Sequence, residues 1–133
     1  MMISTRGRYA LRVMIDLAEQ HSNSYVPMKD VAARQNISLK YLERILPALV
    51  KSHFIEGVHG KGGGYRLTRT PEEYLVGDIL RLTEGDLAPV ACLACGSEPC
   101  DNADCRTKGL WEKLNLIVNE YLDSVTLADL MKK

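Results

Sequence analysis

Apolar residues recur at helical spacing three times in the first half of the chain. Their spacing predicts one amphipathic helix over residues 8–19 and a short second helix over Met28–Gln35, with Pro27 near its start. A third predicted helix follows Ser38, a residue type that caps helix N-termini. The apolar face of this third helix consists of Leu42, Ile45, Leu46, Leu49 and Val50. Pro47 lies inside it and removes one helical hydrogen bond, so we expect a bend there.

After the third helix the pattern changes to two short runs that are typical of strands. Residues 54–58 and 65–68 predict a hairpin, and the glycine-rich segment 59–64 connects them. Three helices with a tight turn between the second and third, followed by a hairpin, form the order of a winged helix-turn-helix. We therefore expect a mainly α fold in which residues 1–70 are a DNA-binding domain.

Residues 71–133 are predicted to add a helical linker, a polar cysteine-containing loop (91–106) and a long helix. Thr70–Glu73 is expected to open a fourth helix that runs to about Leu82, and 126–129 resembles a capped final turn. The long helix, from about Thr107 to Leu122, carries an apolar stripe of Leu110, Leu114, Ile117 and Tyr121, widened by Trp111, Val118, Leu122 and Val125. Such a stripe after a completed core favours a homodimer, although packing on its own domain is the alternative.

The charges divide between the two halves of the chain. Residues 1–70 hold 11 Lys and Arg against 5 Asp and Glu, whereas residues 71–133 hold 6 against 12. A basic half suits a polyanion such as double-stranded DNA. No apolar run approaches the roughly 20 residues that cross a bilayer, and charged residues interrupt the N-terminal segment. We therefore expect a cytoplasmic protein with no membrane partner.

The third helix and the hairpin tip hold the candidate DNA-binding residues. By position at the start of the helix these are Ser38, Leu39, Lys40, Tyr41, Glu43 and Arg44. Lys40 and Arg44 suit phosphates or guanine, and Glu43 suits a cytosine amino group. At the tip, His59 and Lys61 supply donors, while the glycines permit close approach to a sugar–phosphate backbone. The alternatives are an ordinary solvated face for the helix and a flexible turn for the hairpin tip. The glycine spacing at the tip matches no nucleotide-binding loop.

Four cysteines, Cys92, Cys95, Cys100 and Cys105, lie within one short segment. Their C-x2-C-x4-C-x4-C spacing offers four thiolates, which suit an iron–sulfur cluster or a zinc ion. A thiol–disulfide switch, or a loop without any cofactor, is also compatible with this spacing. The Cys92–Cys95 pair could instead serve a thiol-redox enzyme, but no thioredoxin-like βαβ pattern precedes it. Because no catalytic triad or carboxylate pair is discernible either, we expect a protein that is not an enzyme.

Several segments together resemble the IscR/NsrR/CymR family of bacterial winged-helix transcription regulators. They include STRGRYALRVMIDLA, SLKYLERILPALVKS, GKGGGYRLTR, VGDILRLTEG and LDSVTLADL, in order along nearly the whole chain. The resemblance implies dimers that bind imperfect palindromes through Ser38, Lys40, Tyr41 and Glu43, with the long helix as the dimer interface. It also implies that His59 and Lys61 contact the adjacent minor groove or its backbone. IscR-like proteins carry an arginine in place of His59.

The family members differ in what they sense. IscR-like members bind an iron–sulfur cluster through three cysteines and a histidine, and NsrR-like members bind a cluster through three cysteines and respond to nitric oxide. CymR-like members bind no cluster and answer to a partner enzyme. Here Cys92, Cys100 and Cys105 match the three cysteines, Cys95 is additional, and Lys108 replaces the histidine. The resemblance therefore favours a repressor that senses iron–sulfur, redox or nitric oxide status, with a cluster-free regulator controlled by a protein partner or thiol chemistry as the alternative.

Overall fold

The computed structural model of the chain describes residues 3–20, 24–90, 93 and 105–132. The first part of the described chain contains helices α1 (Thr5–Glu19), α2 (Met28–Gln35) and α3 (Leu39–Lys51), followed by strands β1 (Ile55–Val58) and β2 (Gly64–Leu67). After a 3-10 turn (Pro71–Glu73) come α4 (Val76–Glu84), α5 (Lys108–Ser124) and α6 (Leu127–Leu130). The order confirms the predicted winged helix-turn-helix with a long helix near the C-terminus.

Local capping signals explain several helix ends. The Ser4 hydroxyl accepts a hydrogen bond from Gly7 N (3.3 Å), and α1 therefore begins before the apolar stripe that predicted it. The final turn has the capping box that the sequence indicated, with Thr126 and Asp129 bonded reciprocally.

The prediction of one continuous fourth helix from Thr70 to about Leu82 is wrong. Pro71–Glu73 forms a single 3-10 turn, Tyr74 and Leu75 are extended, and α4 runs from Val76 to Glu84. Long-range contacts cause this interruption. Leu127 N donates to Tyr74 O (2.9 Å), Val76 N donates to Val125 O (2.9 Å), and the Tyr74 side chain is fully buried.

The main core lies between α1, α2 and α3 and is closed by β1, Tyr74 and α6. Its fully buried members include Val13, Met14, Val31, Leu42, Ile45, Leu49, Ile55, Tyr74, Ile79 and Leu127. A second, smaller cluster of Val76, Leu80 and Leu87 receives Leu122 of α5 and Val125, the residue that follows α5. In contrast to the other long helices, α5 has no buried residue. None of the helices in the described ranges is long and apolar enough to span a membrane.

Candidate nucleic-acid interface

A tight turn sets the angle between α2 and α3. Asn36 ends α2 in the left-handed conformation (φ 54°), and Ile37 N donates to Ala32 O (3.0 Å) while the Ile37 side chain is buried. Ser38 then caps α3, because its hydroxyl accepts from Tyr41 N (3.3 Å). Ser38, a predicted DNA-binding residue, thus also fixes where α3 starts.

The two faces of α3 have different surroundings. Its apolar face, formed by Leu42, Ile45, Leu46 and Leu49, is buried in the main core. Val50, which was predicted to belong to this face, is 39% exposed. Four predicted DNA-binding residues, Ser38, Lys40, Glu43 and Arg44, are exposed. The structure thus brings a cation pair and one carboxylate together on the surface of the first two turns, where a recognition helix presents side chains to base edges.

Tyr41 differs from its predicted neighbours on α3 because it is half-buried. Its ring meets the ring of Tyr9 on α1 edge to face, with the centroids 5.2 Å apart. Arg12 lies over the Tyr9 ring, with its guanidinium carbon 5.5 Å from the ring centroid. The aromatic pair therefore joins α3 to α1, and only part of the Tyr41 side chain faces solvent.

The strands β1 and β2 form the wing, an antiparallel hairpin in which Ile55 pairs with Leu67 and Val58 with Gly64. His59 and Lys61 are exposed at its tip, as predicted. Gly60 and Gly62 have positive φ and open space around them, so the turn itself favours glycine there. Gly64 also has positive φ, and a Cβ atom there would in addition overlap the backbone of Val26.

Contacts at the base of the wing fix its direction. The buried Tyr74 hydroxyl donates to Phe54 O (2.6 Å) and accepts from Thr68 N (3.0 Å) and Arg69 N (3.1 Å). Val26, just before α2, forms a bridge with Tyr65 of β2 through hydrogen bonds of 2.8 and 2.9 Å. The wing is thus attached both to the segment before α2 and to the segment before α4.

Arg66 of the wing makes a further contact with the segment before α2. It pairs with Glu56 across the hairpin at 2.5 Å, and its guanidinium lies 4.5 Å from the centroid of the Tyr25 ring. The hydrogen bond to Glu56 raises the pKa of Arg66. Arginine is charged at any physiological pH, so its guanidinium forms a cation–π contact with the Tyr25 ring.

Asp16 is a site residue that the sequence analysis did not identify. It is 2% exposed and accepts hydrogen bonds from Arg34 Nη2 (2.7 Å), Arg34 Nε (3.1 Å) and Gln35 Nε2 (2.9 Å). The hydrogen bond to Asp16 raises the pKa of Arg34. Arg12 donates to the backbone carbonyl and side chain of Gln35, at the C-terminal end of α2. This network joins α1 to the helix before the turn; a lone acid on an apolar helix face was its sequence signal.

Of the four predicted metal-ligating cysteines, Cys105 lies within the described residues, whereas Cys92, Cys95 and Cys100 lie outside them. The Cys105 side chain is half-buried just before α5, with its Sγ 3.4 Å from Thr107 Oγ1. Lys108, at the position of the family's histidine, is exposed and lies 3.8 Å from Glu112. Within the described ranges no group of three or more His, Cys, Asp or Glu side chains could hold a metal ion.

Known proteins with similar sequences and structures are transcription regulators. The sequence is 35% identical to the regulator IscR of Sodalis glossinidius, over 98% of this chain and 79% of that protein. The structure resembles CymR, the global cysteine regulator of B. subtilis, with a TM-score of 0.84 and 35% identity over 98% of this chain and 95% of that one. It also resembles T. potens IscR, with a TM-score of 0.75 and 36% identity over 97% and 85% of the two chains.

These likenesses confirm the mainly helical winged-helix fold and a regulatory rather than enzymatic role. The sequence profile of the family Rrf2, described as iron-dependent transcriptional regulator, matches residues 3–133. The chain belongs to the Rrf2 family of DNA-binding transcription regulators.

Proposed function

We propose that this regulator is a homodimeric repressor that reads a palindromic DNA site and adjusts its affinity through the cysteine segment. The observation that carries the DNA-reading part is the exposed polar face of α3, formed by Ser38, Lys40, Glu43 and Arg44 over a fully buried apolar face. In this proposal Glu43 selects against bases that offer it no donor, and Lys40 and Arg44 bind guanine or phosphate. Lys61 at the wing tip contacts the sugar–phosphate backbone.

The surface of α5 supports the proposed dimer. Leu110, Ile117 and Tyr121 are 61%, 51% and 66% exposed, and they lie along one side of the helix. The opposite side is polar: Asn119 and Asp123 bond to Arg81 of α4. Leu122 is an apolar residue of α5 that packs on its own chain. The exposed stripe gains most by packing against a second copy, because that contact removes it from solvent.

The cysteine segment has a donor set that fits a metal group. In our proposal Cys92, Cys95, Cys100 and Cys105 hold an iron–sulfur cluster, and zinc is the alternative. A bound cluster supplies a centre whose integrity depends on redox state, iron supply or nitric oxide. Cys105 stands directly before α5, so a bond at its sulfur restrains the start of the proposed dimer helix. The protein then couples ligand state to the separation of the two recognition helices.

A second candidate is a cluster-free regulator that is controlled by a partner protein or by thiol chemistry. Two observations favour it: the likeness to CymR in structure, and the presence of exposed, ion-paired Lys108 where the IscR-like pattern has a histidine. In this alternative the exposed surface of the acidic C-terminal half binds the partner.

Anaerobic purification distinguishes the two candidates. We expect a coloured protein with bound iron, whose affinity for a palindrome selected from randomised duplexes changes at least about fivefold, the lower end of usual allosteric coupling, when chelation removes the metal. A variant with all four cysteines changed to serine serves as the matched control and should not respond to the chelator. Colourless, metal-free protein that binds the same duplex tightly would contradict the cluster and support the second candidate.

A further inference from the structure

Arg81 connects α4 to α5 through all three nitrogens of its guanidinium. Its two terminal nitrogens donate to the two carboxylate oxygens of Asp123, at 2.8 and 2.9 Å. Nε and Nη2 donate to Asn119 Oδ1 at 3.3 and 2.7 Å, and Nη1 lies 3.4 Å from Asp78 Oδ1. A planar guanidinium bonded in this way fixes the direction of its partners as well as their distance.

The partners of Arg81 are themselves held in place. The Asn119 amide nitrogen donates to the Asn115 carbonyl (2.7 Å) and side-chain oxygen (2.9 Å), which leaves its own oxygen toward Arg81. Gly77 permits the close approach of the two helices, because a Cβ atom there would overlap the Asp123 carboxylate and lie 3.0 Å from Arg81 Nη1. These contacts together restrain the crossing of α4 and α5.

The helix α4 is attached to the DNA-binding domain by hydrogen bonds. Glu84, at its end, accepts hydrogen bonds from the Ser4 backbone N (3.0 Å) and hydroxyl (2.6 Å) at the start of α1. Gly7 of α1 allows this contact, since a Cβ atom there would overlap the Glu84 carboxylate. Any change in the angle between α4 and α5 is therefore also a change between α5 and the domain that holds α3.

Small rotations at this crossing become large displacements at the far end of α5. Backbone bonds at Val125 and Leu127 fix the C-terminal end of the helix, and Arg81 acts on the neighbouring turns. Leu110 lies 13 residues before Asp123, or about 20 Å along the helix axis. A tilt of about 10° moves that end by about 3.4 Å, which equals the rise of one base pair.

We infer that Arg81 is a positioning residue for DNA recognition: it holds α5 at a fixed angle to α4 and thereby sets the half-site spacing that the dimer accepts. The inference rests on the dimer of the proposed function. Two recognition helices must lie about 34 Å apart to enter successive major grooves. Arg81 contacts no DNA in this arrangement and acts only through α5.

Spacing dependence of binding tests this inference. The probes are a palindromic duplex selected by the wild-type protein from a random pool, versions with one base pair added or removed at its centre, and a single half-site. We expect the wild type to lose at least about tenfold in affinity for altered spacings. Arg81→Ala and Gly77→Ala should lose less than about threefold, while their half-site affinity stays at the wild-type value. Glu120→Gln, an exposed change on the same helix, is the matched control and should behave as wild type.

Sedimentation of each protein separates the possible failures. Variants that are dimeric and keep the wild-type spacing dependence would overturn the role of Arg81 and leave the proposed dimer standing. A monomeric wild-type protein would overturn the proposed dimer and, with it, this inference. If Arg81→Ala does not fold, Gly77→Ala keeps the guanidinium but disturbs its contact with Asp123, and it then tests whether this contact sets the spacing. A loss of half-site affinity equal to the loss on the palindrome would show that Arg81 only stabilises the domain, and would also overturn the inference.

Discussion

The helices α3 and α5 are both amphipathic, but they turn opposite faces toward their own chain. α3 buries its apolar face, including Leu42 and Leu49, and exposes its charges. α5 turns Asn119 and Asp123 toward α4 and exposes its apolar stripe. In our proposal the exposed side of each helix therefore meets a different partner, because charges suit DNA and an apolar stripe suits a second protein chain. The comparison teaches that helical periodicity identifies a face but not what covers it.

The largest effect should come from the buried face of α3. Leu49→Ala removes a fully buried side chain, and the cavity that remains should lower the free energy of unfolding by about 2–5 kcal/mol. Urea unfolding at one fixed protein concentration measures this. Leu39→Ala, at an exposed position of the same helix, should cost less than about 1 kcal/mol. Equal losses for the two variants would contradict the assignment of the buried face.

A substitution in the exposed stripe of α5 should weaken dimerisation and leave the fold intact. Ile117→Asp places a charge where the proposed dimer excludes water, and should weaken dimerisation by at least about a hundredfold. Because Ile117 is half exposed and belongs to neither apolar cluster, the variant should keep the helical circular dichroism spectrum of the folded chain. Sedimentation equilibrium measures the dimer, with Glu120→Gln as control. An unchanged dimer would show that this stripe is not part of the dimer interface.

A smaller effect is expected at the base of the wing. Tyr74→Phe deletes the hydroxyl that bonds to Phe54 O, Thr68 N and Arg69 N, so these backbone groups are left without that partner. The free energy of unfolding should fall by about 1–3 kcal/mol. Tyr121→Phe, which deletes an exposed hydroxyl on α5, should change it by less than about 0.5 kcal/mol. If both variants unfold alike, the Tyr74 hydroxyl does not hold the wing.

The smallest effect concerns the tip of the wing. Lys61→Ala should weaken binding to every DNA sequence and reduce the slope of log affinity against log salt by about one for each phosphate that the wing no longer neutralises. Titrations of one duplex at several salt concentrations give this slope. Lys113→Ala on α5 removes the same charge at a position away from the proposed DNA interface and should leave the slope unchanged. An unaltered slope for Lys61→Ala would show that Lys61 does not contact the phosphates.

Local signals made much of the fold predictable from the sequence. The bounds of α2, the Ser38 cap and the Thr126 capping box follow from residues within a few positions of each other. The break at Tyr74 and Leu75 could not be predicted in this way, since it depends on pairing with residues 125–127 at the other end of the chain. The predicted fourth helix failed for that reason.

The candidate site also combines features that local sequence signals predict with features that depend on distant residues. The exposed positions of α3 follow from its apolar periodicity, which places Lys40 and Arg44 opposite the core. The half-burial of Tyr41 depends on Tyr9 of another helix, and the role of Asp16 depends on Arg34. The sequence marks Asp16 only as a lone acid on an apolar helix face, and it does not indicate the partner on the other helix for either residue. Arg81 belongs to this group as well, because its partners Asn119 and Asp123 follow the cysteine segment, far along the chain.

Glu43 offers the most direct test of the central claim that the exposed face of α3 reads DNA sequence. Selection from randomised duplexes should give a palindrome for the wild type. For Glu43→Ala it should give the same palindrome with preference lost at one symmetric position per half-site, by about tenfold or more, and little change in affinity for the best site. Identical preference profiles for the two proteins, or no enriched sequence for the wild type, would contradict the claim.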